Sequence, residues 1–138
     1  MMQDAVISVP GLVNATISGN LLMTTITGPM SITRMLAASN AVLPLVVAIS
    51  NTNKAWGSVL VIENDATFFA DSAEEYIRLV TSNPIYANRK RMAFVLVPGI
   101  AHSEETMNSL SSMATKISSA TIQLFSDPVS AIKWASDI

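Results

Sequence analysis

Two short clusters of polar side chains in this sequence are of types that bind anions or carry chemistry. The first is Asp71-Ser72, which follows Phe68-Phe69 and precedes Glu74. A hydroxyl at a helix start lies beside unpaired backbone N–H groups, so this arrangement predicts a phosphorylation or anion-binding site. The alternative is an ordinary helix start, with Asp71 as the N-cap and Glu74 at the third helical position.

The second cluster is His102-Ser103, which contains the one histidine of the chain. If the strands before the two clusters are neighbours in a parallel sheet, both clusters lie at the same sheet edge. Glu63, Asp65 and Ser72 would then converge with His102-Ser103 and predict a small hydrolase, although the chain has no nucleophile-elbow motif. The alternative is a solvent-exposed histidine beside a serine that caps the next helix.

The composition limits the chemistry that the chain can carry. Its 138 residues are a typical length for one domain, and half of them are hydrophobic. The absence of cysteine excludes disulfides, thiolate nucleophiles and zinc–sulfur sites, and a single histidine gives little basis for a metal site. The net charge of -2 argues against nucleic acid as the main partner. We therefore predict no cofactor, no metal and no nucleic-acid function.

Charged residues are nearly absent from the first part of the chain, where Asp4 and Arg34 are the only ones between residues 1 and 53. Such a segment must be covered by its own fold, by a second copy of the chain, or by an apolar ligand. A helix is predicted over residues 30–50, with a kink or a fresh start near Pro44, and a strand over residues 45–49 is the competing interpretation. The wall of an apolar pocket or of a dimer interface is predicted at Met35, Leu36, Leu43 and Val46.

The elements that position these residues follow from hydrophobic periodicity and turn signals. Gly19-Asn20 separates two β-branched runs, which predicts a tight antiparallel hairpin. From Ser58 onward, apolar runs alternate with helical patterns, and Asp127-Pro128 is typical of the last helix start. Residues 1–10 are predicted to be an edge strand or a tail. The predicted fold is a single α/β domain of order β-β-α-β-α-β-α-β-α, with a mixed, mostly parallel sheet.

Three consecutive cations, Arg89-Lys90-Arg91, come directly before the apolar run Met92–Val97. They could contact phosphate or an acidic membrane surface, but three cations are fewer than the usual lipid-binding cluster. The preferred interpretation is a solvated start of a strand.

The run that contains the first cluster resembles the motif of STAS domains, the fold of anti-sigma factor antagonists and of the cytoplasmic ends of sulfate transporters. In that family a strand leads into a pattern like D-L-S-x-V-x-F-I-D-S-S-G-L, with the phosphorylatable serine at a helix N-terminus. Phe69, Asp71 and Ser72 match the F, the D and the first S of the pattern. Ala73 and Glu74 stand where the family has a second hydroxyl residue and glycine.

The C-terminal half resembles the SpoIIAA-like branch of the same fold. In that branch the chain closes with a phenylalanine-ended strand and an alanine-to-tryptophan helix. Here a strand ending in Phe125 is followed by Asp127-Pro128 and then by a helix that contains Ala131 and Trp134. The branch consists largely of uncharacterised bacterial proteins and is grouped with lipid-binding CRAL-TRIO-type domains.

The resemblance implies a non-enzymatic regulatory or protein-interaction domain, whose surface includes Phe68-Phe69 and Asp71-Ser72 and is flanked by His102-Ser103. Glu74 and Glu75 would repel a phosphate at this place, so partner binding is predicted and phosphorylation of the serine is left open. The alternative function is a carrier or sensor of an apolar, lipid-like small molecule, and the third is a small hydrolase. The protein is expected to be cytoplasmic, without a transmembrane segment, and to bind a protein partner or form a homodimer.

Overall fold

The chain builds one mixed sheet with helices on both faces. The structure, a computed structural model, describes residues 6–63, 66–96 and 104–138. The strands are β1 (Val6–Val9), β2 (Val13–Ser18), β3 (Leu21–Ile26), β4 (Trp56–Ile62), β5 (Arg89–Leu96) and β6 (Thr121–Phe125). The helices are α1 (Ile32–Ser50), α2 (Ala70–Ser82), α3 (Glu104–Lys116) and α4 (Pro128–Ser136), and a 3₁₀ turn (Pro84–Tyr86) precedes β5.

The six strands lie in the sheet in the order in which they occur along the chain. The first three pair antiparallel, and β3, β4, β5 and β6 pair parallel through helical connections. The tight turn at Gly19-Asn20 joins β2 to β3, since Gly19 has the positive φ of 60° that such a turn requires. The predicted α/β fold, with antiparallel strands first and parallel strands after them, is confirmed.

The two faces of the sheet are covered unequally. Helices α1, α2 and α3 cover one face, over a large core that contains Trp56, Phe94 and Met113. Of the described elements, helix α4 alone covers the other face, through Ala131 and Ala135, which are fully buried. Small side chains let a short helix approach the strands closely, and the approach also requires Gly57 of β4, which has no Cβ to meet the backbone of Ala135.

Helix α1 runs without a break from Ile32 to Ser50, and Ser31 is its N-cap. The helix passes through Pro44, which lies on its exposed side. Because the helix is continuous, neither the predicted fresh start near Pro44 nor a strand over residues 45–49 is observed. The strand interpretation is wrong because Leu45 and Ile49 pack on the sheet at helical spacing. By length and composition the helix would also suffice to cross a bilayer, and in this domain its inner face forms part of the core.

The side chain of Arg34 fixes the start of α1 against the antiparallel strands. Its guanidinium donates to the carbonyl oxygens of Gly11 and Thr27 at 2.7 Å each, and to that of Pro29 at 2.8 Å. The one cation in the first 53 residues is therefore used within the fold.

Helix α4 begins as predicted, with Asp127 as N-cap and Pro128 in the first turn. The Asp127 carboxylate accepts hydrogen bonds from the hydroxyl of Ser130 and from the backbone N–H groups of Val129 and Ser130. These hydrogen bonds, that from the Ser130 hydroxyl most of all, lower the pKa of Asp127.

We expect Asp127 to stabilise α4 above the carboxyl's unfolded pKa of about 3.9, and to lose this contribution as the pH falls through the lower folded pKa. Asp127→Asn keeps a capping oxygen without the charge, so it should flatten the fall of the free energy of unfolding between pH 6 and pH 2. Ser130→Ala should flatten it in part. Urea denaturation at each pH measures the effect, and identical pH profiles for the wild type and Asp127→Asn would contradict it.

Candidate functional site

An apolar cavity lies between α1 and the sheet face that α1 covers. It is partly enclosed and has a volume of about 90 Å³. Helix α1 contributes Ala38, Val42 and Val46, strands β2 to β5 form the floor, and four methionines from four parts of the chain complete the lining: Met30, Met35, Met92 and Met113. Because methionine is flexible and polarisable, such a wall can adapt to the shape of a bound molecule.

The wall of this cavity also contains a buried cation, Arg89, which is 3% exposed. A bulge explains its position: the consecutive residues Trp56 and Gly57 of β4 pair with Arg89 and Arg91 of β5, so Lys90 is an extra residue. In a regular strand residues two apart share a face, but the bulge places Arg89 on the cavity face and Arg91 on the α4 face. The expectation of a solvated start of this strand is therefore wrong for Arg89.

The guanidinium of Arg89 is held by aromatic side chains and is only partly hydrogen-bonded. Its Nη1 donates to the hydroxyl oxygen of Tyr76 at 3.3 Å. Its Cζ lies 4.8 Å from the ring centroid of Tyr86 and 5.8 Å from that of Trp56, which are cation–π distances. Within the described residues, its Nε and Nη2 have no hydrogen-bond partner, and neither has the buried hydroxyl of Ser58, which also lines the cavity.

The groups around this guanidinium do not neutralise its charge. The ion pairs found in the described part of the chain join Arg78 to Glu75 and Lys116 to Glu74, and neither reaches the cavity. Burial, with a further contribution from Tyr76, raises the pKa of Tyr86 to about 12, so its phenol is neutral at pH 7. We define the Arg89 cluster as Trp56, Ser58, Tyr76, Tyr86 and Arg89: a buried positive charge with unused donors at the wall of an apolar cavity.

The first polar cluster of the sequence has a structural setting different from the expected one. Phe68 is buried, and its backbone N–H donates to the Thr106 hydroxyl of α3 at 3.1 Å. Helix α2 starts at Ala70 with Phe69 as N-cap, so the prediction of Asp71 as N-cap is wrong. Anchoring of Phe68 to α3 fixes the start of the helix two residues earlier than the sequence pattern indicates.

Asp71 is exposed, Phe69 is half-buried, and Ser72 is fully buried. The Asp71 carboxylate accepts from the backbone N–H of Ser72 at 2.8 Å and faces its hydroxyl at 3.5 Å. A kinase could reach this hydroxyl only after the first turn of α2 had opened, so the structure gives no support to phosphorylation here. His102 and Ser103, which were expected beside this surface, lie outside the described residues.

The residues predicted for the apolar wall divide into two groups. Met35 and Val46 line the cavity, whereas Leu36 is half-buried and Leu43 is 39% exposed on the outer side of α1. A dimer interface on that outer side stays a prediction. The sequence pattern indicates the helix that covers the cavity, α1, but not the lining residues Ser58, Tyr76, Tyr86 and Arg89. Arg89 stands in a run of three cations, which is typical of a solvated surface.

The fold and this cavity define the class: an α/β domain with an apolar cavity under its longest helix and a buried arginine at the cavity wall. In comparisons with known proteins, no family model, no curated protein and no solved structure matches the chain.

Proposed function

We propose that this protein binds a small, largely apolar molecule in the cavity beneath α1. The observation that carries the proposal is the cavity of about 90 Å³ with its methionine-rich wall. Well-packed cores leave few voids larger than a water molecule, and apolar cavities of this kind accept apolar guests. This is the carrier or sensor function that the sparse charge of residues 1–53 also suggests.

The size of the cavity favours a short molecule. An engineered apolar cavity of about 150 Å³ accepts benzene, and the cavity here measures about 90 Å³. At the same volume per carbon atom, a chain of about three or four carbon atoms fits better than a long-chain lipid.

The groups at the cavity support binding rather than catalysis. A serine nucleophile needs an adjacent base to activate it, and in the described residues the hydroxyl of Ser58 has no hydrogen-bond partner. The two tyrosines and the arginine of the Arg89 cluster can orient a ligand, but they do not form a hydrolytic triad.

Filling the cavity is expected to remove binding without unfolding the protein. Ala38→Leu adds three carbon atoms to the buried face of α1 that lines the cavity, so affinity for sodium pentanoate and for pentan-1-ol should fall about tenfold or more. The matched control is Ala37→Leu, which makes the same change at the neighbouring, exposed position of the helix. Methyl-resolved NMR titration of each variant measures both affinities.

The proposal fails if neither probe shifts the methyl resonances of the cavity methionines in the wild type. It also fails if Ala38→Leu binds both probes as the wild type does while its thermal midpoint is unchanged. The partner-binding role that the resemblance implies has no comparable observation behind it, since Phe68 and Ser72 are buried. Ligand binding is therefore proposed ahead of it.

A further inference from the structure

We propose that the molecule bound in this cavity is a monocarboxylic acid with a short apolar chain, and that its carboxylate pairs with Arg89. The inference rests on the proposed function and names the ligand class of that same site. It starts from a buried cation that the described part of the protein leaves without an anion.

The unused donors of Arg89 lie along one edge of its guanidinium. Nη1 is occupied by the Tyr76 hydroxyl, whereas Nε and Nη2 have no partner in the described residues. The Nε–H and Nη2–H groups point in parallel, and their spacing matches the two oxygens of a carboxylate. This edge can bind a carboxylate through two hydrogen bonds, and because both nitrogens are buried in the ligand-free structure, the side chains around them must move apart to admit it.

Two neighbouring aromatic rings pack on the guanidinium. Tyr86 and Trp56 lie at cation–π distances of 4.8 Å and 5.8 Å from its Cζ. These contacts, together with the hydrogen bond to Tyr76, restrict the movement of the guanidinium in the ligand-free protein, which lowers the entropy cost of binding a ligand. The hydroxyl of Ser58 also lines the cavity and has no hydrogen-bond partner among the described residues.

The side chains that line the rest of the cavity indicate which chemical group the carboxylate carries. The cavity is lined mainly by aliphatic and methionine side chains, and among the described residues no acidic or lysine side chain lines it. A hydrated inorganic anion would leave this apolar volume unfilled, whereas a short alkyl chain fills it and excludes water from the ion pair. A ligand with one charged end and one apolar end satisfies both parts of the site.

The test compares two probes that differ in the charged end alone, with binding to the ligand-free wild type followed by NMR and calorimetry at pH 7. Sodium pentanoate should bind at least about tenfold more tightly than pentan-1-ol, because a charge-assisted pair forms with the acid only. Arg89→Lys keeps the positive charge but loses the pair of parallel N–H donors, and Arg89→Met loses both the charge and the donors. We expect both variants to weaken pentanoate about tenfold or more, and pentan-1-ol by a smaller factor because its hydroxyl accepts one hydrogen bond and forms no ion pair.

Every other outcome overturns the carboxylate inference, and one of them also overturns the proposed binding function. Equal affinities for pentanoate and pentan-1-ol in the wild type would overturn the carboxylate inference and leave the apolar binding function standing. Binding of neither probe would overturn the binding function as well. Inorganic phosphate that binds as tightly as pentanoate would show a general anion site and overturn the inference. The comparison of probes on the wild type remains decisive if an Arg89 variant does not fold.

Discussion

Replacement of Arg89 by methionine is expected to raise the free energy of unfolding of the ligand-free protein by about 1–3 kcal/mol. Arg89 is 3% exposed, and no acidic side chain pairs with it in the described residues. An uncompensated buried charge costs several kcal/mol, whereas cation–π contacts such as those with Tyr86 and Trp56 return about 0.5–2 kcal/mol each. Methionine has a similar length and no charge, so it removes the larger of these contributions.

We expect the higher stability of Arg89→Met to accompany weaker ligand binding, since binding sites often keep groups that destabilise the ligand-free protein. Urea denaturation measures it, on protein refolded from denaturant so that no bound ligand stabilises the wild type. Lys90→Met is the matched control, because Lys90 is the exposed neighbour in the same strand and should change stability by less than about 0.5 kcal/mol. A loss of stability in Arg89→Met would instead assign Arg89 a purely structural role through its aromatic contacts.

Gly57→Ala is expected to lower the free energy of unfolding by about 3 kcal/mol or more. A Cβ atom at Gly57 would lie 2.1 Å from the backbone carbonyl oxygen of Ala135 and 3.0 Å from its carbonyl carbon. Backbone atoms cannot rotate away as a side chain can, so α4 would have to move off the sheet. That movement would expose the core that α4 covers, including Val59 and Val95, which are fully buried.

Gly19→Ala separates this steric clash from ordinary glycine effects. Gly19 has a φ of +60°, and a Cβ there would meet no atom within 4 Å. Its cost therefore comes from the left-handed backbone alone, about 1–2 kcal/mol. Urea denaturation of both variants gives the comparison, and the fluorescence of Trp134 in α4 reports whether the helix stays packed. A smaller effect at Gly57 than at Gly19 would mean that α4 adjusts at little cost.

Much of the fold could be predicted because it depends on short-range patterns. Gly19-Asn20 predicts the hairpin from the backbone preferences of two residues, and Asp127-Pro128 predicts the start of α4 in the same way. The alternation of apolar runs and helical patterns after Ser58 predicts the parallel strands, since a crossover helix must lie between them. Each of these signals lies within one element or one turn.

The start of α2 shows where local signals fail. Asp71 and Glu74 have the spacing of a capping box, yet the helix begins at Ala70. The reason is a contact from a distant part of the chain, since the backbone N–H of Phe68 donates to Thr106 of α3. Ser72 is buried in this arrangement, so the hydroxyl that the sequence offers for phosphorylation lies inside the fold, whereas Asp71 beside it stays exposed.

The sequence by itself therefore determined the class of fold, the order of the strands and helices, and the apolar nature of α1. Only the tertiary structure decided the site, because Arg89 reaches the cavity through a bulge that depends on pairing with Trp56 and Gly57. In the sequence, Arg89-Lys90-Arg91 has the pattern of a solvated surface segment. Arg89 is nevertheless buried, because the pairing of β5 with β4 turns its side chain toward the cavity. The cavity likewise arises from side chains that eight helices, strands and turns bring together, and no local pattern specifies how they fit.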